Sequence, residues 1–231
     1  MVRRVGFLTI GQSPRVDVVP EIMSILGEGF EVVEAGALDD LSFDEILNLA
    51  PRSGETVYVS RLRSGVEVKI SKERLMPLLQ DKITFLEEMG VEVIGLLCSG
   101  VFPSFEVKVP LIKPEPVLRG VVEASLSSNQ ILGVVMPSPL QVDFGFEKWS
   151  KVGCRDIIVE SVSPYISFEE RSRLLKGIAS SFRERNVSLV VLDCIGFSIR
   201  DLMVFKSVYN IPVLLPRVVL AYAIKSLLYE R

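Results

Sequence analysis

Two pairs of segments constrain this chain more than any other feature. Gly6-Phe7-Leu8-Thr9-Ile10-Gly11-Gln12-Ser13-Pro14 and Gly133-Val134-Val135-Met136-Pro137-Ser138-Pro139 each run an apolar strand into a Ser-Pro turn. Later in each half an apolar strand ends in Cys-x-Gly, as Leu97-Cys98-Ser99-Gly100 and Asp193-Cys194-Ile195-Gly196. A strand that is apolar at successive positions, rather than at every second one, is covered on both faces. That is how strands read in a parallel sheet between helical layers. βα proteins repeat such patterns without duplication, whereas a doubled half accounts for both pairs at once. The expectation is an α/β chain built from two parallel-sheet halves.

The remaining spacing predicts a strand over residues 4–10, a helix over 16–26 closed by Gly27, and a strand over 31–35. Ser42 with Glu45 three positions on is a capping box that opens a helix to Leu49. Arg63-Ser64-Gly65 joins strands 56–62 and 66–70 as a hairpin. Ser71 opens a helix to Met89, and a strand follows over 91–97. Prolines at 103, 110, 114 and 116 mark an irregular crossover, and the boundary between halves is placed there. Residues 1–115 with 215–231 are expected to form the first half and 116–214 the second. The second half reads as helix 117–126, strand 131–136, turn 137–141, a helix carrying Trp149, strand 156–159 and helix 167–185. It continues with strand 187–192, a helix capped by Ser198 with Asp201 three later, strand 213–215 and a closing helix over 217–229.

Composition excludes several classes of function. Hydrophobic residues make up 48% of the 231, enough for a sizeable core, yet the most apolar stretch, 211–228, is broken by Pro212, Pro216, Arg217 and Lys225. No membrane span is expected. The opening Met1-Val2-Arg3-Arg4 leads into an apolar run too short for a secretory signal and lacking a small-residue cleavage site, so a cytoplasmic location is expected. With 26 basic and 29 acidic residues and no basic cluster, a nucleic-acid partner is not expected. Three widely spaced cysteines argue against a disulfide framework. The chain has no histidine, which excludes Ser-His-Asp and Cys-His catalysis and His-ligated metals. Proton transfer would fall to Cys, Asp, Glu, Lys or Tyr.

Cys98 and Cys194 stand at the C-terminal ends of apolar strands, where open α/β sheets place ligands. The glycine two residues on lets backbone approach a ligand closely. A helix opening near Ser198 is expected to offer N–H groups and the positive end of its dipole to Cys194, favouring thiolate. The competing reading of each is a cysteine that fills core, and that reading is preferred for Cys154. In the first turn Thr9, Gln12, Ser13 and Arg15 gather hydroxyls, an amide and a guanidinium between a strand end and a helix start, which suits a carboxylate. Against it stand a plain helix cap at Ser13 and a solvated Arg15. Arg61 and Arg63 read as solvated hairpin charges. Arg217 lies at a strand end, and Asp193 reads as a cap for the next helix. Gly27-Glu28-Gly29 precedes a strand and lacks a third glycine, and no Gly-Lys-Ser/Thr occurs, so no nucleotide cofactor is expected.

Leu8-Thr9-Ile10-Gly11-Gln12-Ser13-Pro14-Arg15, Leu192-Asp193-Cys194-Ile195-Gly196-Phe197 and Ile211-Pro212-Val213-Leu214-Leu215 resemble signatures of AroM-family proteins. Length and element order extend the likeness over essentially the whole chain. That family is similar in turn to the Asp/Glu/hydantoin racemase superfamily, in which two flavodoxin-like halves face each other across a central cleft. Each half there offers one cysteine, and the pair acts as acid and base on opposite faces of a carbon next to a carboxylate. The resemblance implies Cys98 and Cys194 as the pair and Thr9, Ser13 and Ser138 as carboxylate binders, with Gln12, Arg15 and Ser99 beside them. Ser99 and Ile195 follow the cysteines where the superfamily usually carries Thr. The implied activity is a cofactor-independent racemase, isomerase or decarboxylase of a small carboxylate, and the implied assembly a homodimer. A non-catalytic protein that binds a carboxylate or aromatic metabolite, and a redox sensor bridging Cys98 to Cys194, are the competing readings.

Overall fold

A computed structural model describes residues 2–228 and divides the chain into two units, Met1–Pro114 with Leu220–Arg231, and Glu115–Val219. The first unit carries β1 (Arg3–Thr9), α1 (Val19–Leu26), β2 (Phe30–Gly36), α2 (Phe43–Asn48), β3 (Val57–Arg61), β4 (Glu67–Ser71), α3 (Lys72–Glu88), β5 (Val93–Leu97) and β6 (Leu111–Ile112). Through the second run α4 (Pro114–Ser125), β7 (Ile131–Met136), a 3-10 turn at Pro139–Gln141, α5 (Val142–Trp149), β8 (Asp156–Ser161) and α6 (Phe168–Glu184). β9 (Leu189–Leu192), α7 (Ile199–Lys206) and β10 (Val213–Leu214) follow, and α8 (Pro216–Leu227) starts in the second unit and belongs to the first from Leu220.

Each unit holds a four-stranded parallel sheet, in the orders β2-β1-β5-β6 and β10-β9-β7-β8. Counted along the chain, both have the order second, first, third, fourth, which is the flavodoxin-like arrangement. β7 is buried at all six positions and β1 from Val5 onward, which explains their unbroken apolar sequence. The registers match as well. Thr9 pairs with Leu97 in the first sheet, and Val135 pairs with Leu192 in the second, where Asp193 N–H donates to Val135 O at 2.8 Å. In both sheets, therefore, the turn after the first strand lies beside the Cys-x-Gly loop after the third. This is the topological switch point at which open α/β sheets bind ligands.

The capping boxes at Ser42–Glu45 and Ser198–Asp201 form as the spacing predicts, and β3 and β4 pair antiparallel as the hairpin. Other expectations need correction. α1 starts at Val19 rather than near Val16, because Val18 and Val19 N–H both turn back to Arg15 O. Ser71 precedes α3 without capping it and donates instead to Glu73. β6 arises inside the proline-rich crossover, where Ile94 N–H donates to Pro110 O. Residues 215–219 lie with the second unit, since Leu215 is buried in its core. The predicted helix end at Tyr229 falls outside the described residues. Among those residues no helix is long and apolar enough to cross a membrane.

Glycines in the central strands set how close the helices come. A Cβ on Gly133 would stand 2.5 Å from the ring of the fully buried Phe182 of α6, whereas one on Gly6 would meet Val91 at 3.2 Å. Overpacking of this kind costs about 1–3 kcal/mol. Gly133→Ala is expected to lower unfolding free energy in urea by that amount and Gly6→Ala by clearly less; equal costs would refute the packing account.

Candidate functional site

Both Cys-x-Gly loops direct a backbone N–H at their own sulfur. Gly100 N–H donates to Cys98 Sγ at 3.5 Å and Gly196 N–H to Cys194 Sγ at 3.4 Å. A donor aimed at sulfur favours the thiolate over the thiol. The glycines are required by close packing: a Cβ on Gly100 would lie 2.9 Å from the Tyr58 ring, and one on Gly196 would lie 3.0 Å from the Tyr165 ring. Tyr58 is itself held by its hydroxyl, which donates to Val101 O at 2.6 Å. Cys98 is half-buried and Cys194 is 7% exposed. α7 opens at a complete capping box. Ser198 Oγ accepts Asp201 N–H, while Ser198 N–H and Oγ both donate to Asp201 Oδ2. A donor to the sulfur comes from the loop itself, at Gly196. Cys154, by contrast, donates to Asp156 O beside β8.

The first turn is built around two carboxylates that the sequence reading did not single out. Asp39 accepts Ser13 N–H at 2.7 Å, Ser13 Oγ at 2.6 Å, Gly36 N–H at 2.7 Å and Arg63 Nη2 at 3.1 Å. Asp17 accepts Arg15 Nε at 2.8 Å and Nη2 at 2.9 Å, and Arg15 Nη1 also donates to Thr9 Oγ1 at 3.1 Å. Arg15 is 2% exposed, so it is not the solvated charge of the competing reading. Ser13 bonds to Asp39 rather than capping α1. Gln12 Nε2 donates to Leu38 O and its Oε1 accepts Arg63 N–H, while Arg63 Nε reaches Ser13 O. Arg63 is thus a strap between hairpin and turn rather than an edge charge. Close approach makes this possible: a Cβ on Gly11 would lie 2.5 Å from Arg61 O, and one on Gly36 would lie 2.6 Å from Gly11 O. Arg15, Asp17, Arg61 and Arg63 border a small cavity of about 130 Å³ beneath the hairpin tip.

In the second unit Ser138 Oγ accepts Leu140 N–H and caps the 3-10 turn. Asp193 does not cap α7. Its carboxylate is fully buried, accepting Lys148 Nζ at 2.7 and 2.9 Å and Trp149 Nε1 at 2.8 Å. Arg217, 1% exposed, donates from Nε and Nη2 to Ile195 O. Ser99 is buried beside Cys98. Among the described residues no group of three or more carboxylates and thiols is arranged to hold a metal ion.

Comparison with known proteins agrees with this architecture. The family model described as AroM protein matches residues 5–228. No curated protein matches the sequence. Among solved structures, the maleate isomerase Iso from Pseudomonas putida S16 is similar with a TM-score of 0.64 at 16% identity, covering 99% of this chain and 93% of that one. Allantoin racemase from Klebsiella pneumoniae gives 0.62 at 12% identity over 97% and 87%. Picrophilus torridus aspartate racemase gives 0.58 at 17% identity over 97% and 94%. At these identities the likeness is one of fold.

Two carboxyls of the turn titrate in opposite senses. Burial alone would raise Asp17, but the hydrogen bond and charge of Arg15 outweigh it and hold Asp17 below its ordinary 3.8. Burial raises Glu34 above its ordinary 4.5, offset only in part by the hydrogen bond from Arg15 N–H. The Asp17 contribution to stability is therefore present above about pH 4 and lost as pH falls through its folded value. That of Glu34 is present below about pH 4 and lost as pH rises through its folded value. In urea unfolding, Asp17→Asn should cost more at neutral pH than at pH ~3. Glu34→Gln should gain on the wild type over the same rise; a cost for each variant that does not change with pH would refute the assignment.

Proposed function

Because the chain belongs to the AroM protein family and carries the racemase–isomerase fold, we propose that it catalyses cofactor-independent proton transfer on a small carboxylate. Cys98 and Cys194 are assigned as the proton-handling pair. The observation that carries this reading is the recurrence, at the switch point of each sheet, of a cysteine whose sulfur accepts an N–H from the glycine two residues on. A chain without histidine has few side chains that change protonation near neutral pH, and a thiolate supported by a backbone donor is one of them.

In the reaction as proposed, one thiolate takes the proton from the carbon next to the carboxylate. The electron pair of the broken C–H bond passes into the carboxylate as an enolate. The second cysteine, a thiol, returns a proton to the other face of the same carbon. Inversion follows from the two groups acting on opposite faces, and no redox partner is consumed. Ser99, next to Cys98, and Ser138, in the turn after β7, are assigned to the substrate carboxylate. Thr9, Gln12, Ser13 and Arg15, gathered at the first turn, are assigned to the substrate carboxylate as well.

The commitment of those four side chains to partners within the turn favours a second reading, a binding protein that keeps the fold without the chemistry. The two separate cleanly. Aspartate and glutamate, the amino acids named for two of the structural relatives, would be incubated with the protein in deuterated water and followed by proton NMR. The expected result is loss of the Cα–H signal of at least one acid, reduced on the order of 100-fold or more by Cys98→Ser and by Cys194→Ser. Exchange that survives Cys194→Ser would overturn the assignment. Thermal stabilisation by a carboxylate with no exchange, unchanged when both thiols are alkylated, would establish the binding reading instead.

A further inference from the structure

The Ile195–Gly196 peptide is engaged on both edges. Its carbonyl oxygen accepts Arg217 Nε at 3.1 Å and Nη2 at 2.8 Å, and its N–H donates to Cys194 Sγ at 3.4 Å. The bond is trans, so the carbonyl and the N–H point in opposite directions and one cannot turn without the other. We infer that Arg217 is a positioning residue that sets Cys194 as the thiolate of the pair, acting through this single peptide group.

Two physical effects combine. Holding the carbonyl with both arms of a guanidinium fixes the plane of the peptide, and with it the direction of the N–H at the sulfur. A cation on the carbonyl oxygen also draws electron density along the amide, which makes the N–H a stronger donor. Both act where solvent is excluded, since Arg217 is 1% and Cys194 7% exposed. The identity of residue 195 fits this device. An isoleucine side chain offers no hydrogen bond, and the residue contributes through its carbonyl alone.

Two further buried or half-buried cations near the loop are matched in pairs, and Arg200 of α7 lies over the Phe168 ring. Lys148 of α5 is bound to Asp193 at 2.7 Å, and Arg171 of α6 to Asp201 of α7 at 2.7 Å. Tyr165 packs on Gly196 as a ring rather than a charge. The corresponding step of the first unit differs in sequence. Leu111-Ile112-Lys113-Pro114-Glu115 and Val213-Leu214-Leu215-Pro216-Arg217 occupy the same step, from the fourth strand of a sheet into the following helix. Where the second sequence has Arg217 the first has Glu115, which pairs with Arg119 at 3.6 Å. In the proposed reaction Cys194, with its donor held by Arg217, is accordingly the base at rest and Cys98 the acid. In a turnover Cys194 gains the substrate proton as Cys98 gives one up, so the proton count is unchanged. That direction rests on the proposed proton-transfer function; the thiolate bias of Cys194 does not.

The test follows thiolate formation by ultraviolet absorbance across pH in a Cys98→Ser/Cys154→Ser background, so that Cys194 alone is read. Arg217→Gln is expected to raise the midpoint by about one unit or more, a roughly tenfold loss of thiolate at a given pH. Arg217→Lys, which keeps the charge without the two-armed grip, should recover part of that shift. An unchanged Cys194 midpoint in a folded Arg217→Gln protein overturns the inference. Should that variant not fold by circular dichroism, the native chain decides. Its Gly196 amide resonance must titrate with the Cys194 midpoint, and an amide indifferent to pH through that range overturns the inference equally. Failure of every acid to exchange would sink the proposed function while leaving this titration to be decided by itself.

Discussion

The parallel pairing of each unit's first strand with its third is the constraint on which the rest of the molecule depends. β1 meets β5 with Thr9 opposite Leu97, and β7 meets β9 with Val135 opposite Leu192. A slip of one residue would send every buried side chain of those strands to the opposite face of the sheet. It would also part the turn after the first strand from the Cys-x-Gly loop after the third. The glycines Gly6 and Gly133 sit in these strands, and the loop glycines Gly100 and Gly196 lie under tyrosine rings just past their ends. Close packing around residues without side chains therefore determines where the sulfurs stand.

Around that frame, buried charge acts on loop geometry more than on net stability. Removing two charges from water costs roughly what their attraction returns, so pairs such as Lys148–Asp193 and Arg171–Asp201 contribute little net free energy. What they fix is position. Asp193 is held by Lys148 and Trp149 immediately before Cys194, Arg217 holds the carbonyl immediately after it, and Asp201 anchors the start of α7. In the first unit Asp39 gathers the backbone of Ser13 and Gly36 and the side chain of Arg63 into one node. The loops that end the strands are thus bound by directional bonds where apolar packing alone would leave them free to shift.

Local features were legible where the physics is local. The capping boxes at Ser42 and Ser198, the hairpin around Arg63-Ser64-Gly65 and the limits of β7 depend on residues within a few positions of one another, and spacing alone identifies them. The start of α1 was misread because Arg15 O captures two N–H groups that would otherwise begin the helix. Asp39 was missed because nothing around it in sequence distinguishes it from Asp40. It becomes a node only once Thr9 is paired with Gly36, which brings the residues just beyond β2 alongside Ser13. The pairing of Arg15 with Asp17 is not legible in sequence, because nothing there shows that a carboxylate two residues on folds back to the guanidinium.

By itself, the sequence determined the α/β class, the doubled pattern of strands and turns, and the placement of Cys98 and Cys194 at strand ends. Those follow from hydrophobic period and short-range capping, which involve neighbours along the chain. Only the tertiary structure decided what each polar group does. Asp39 is 26 residues from Ser13, Asp193 is 45 from Lys148, and Arg217 is 22 from Ile195. Bonds over such separations are set by strand register and helix packing. For that reason the cysteines were visible in the sequence, and the peptide group and arginine that hold the loop after Cys194 were not.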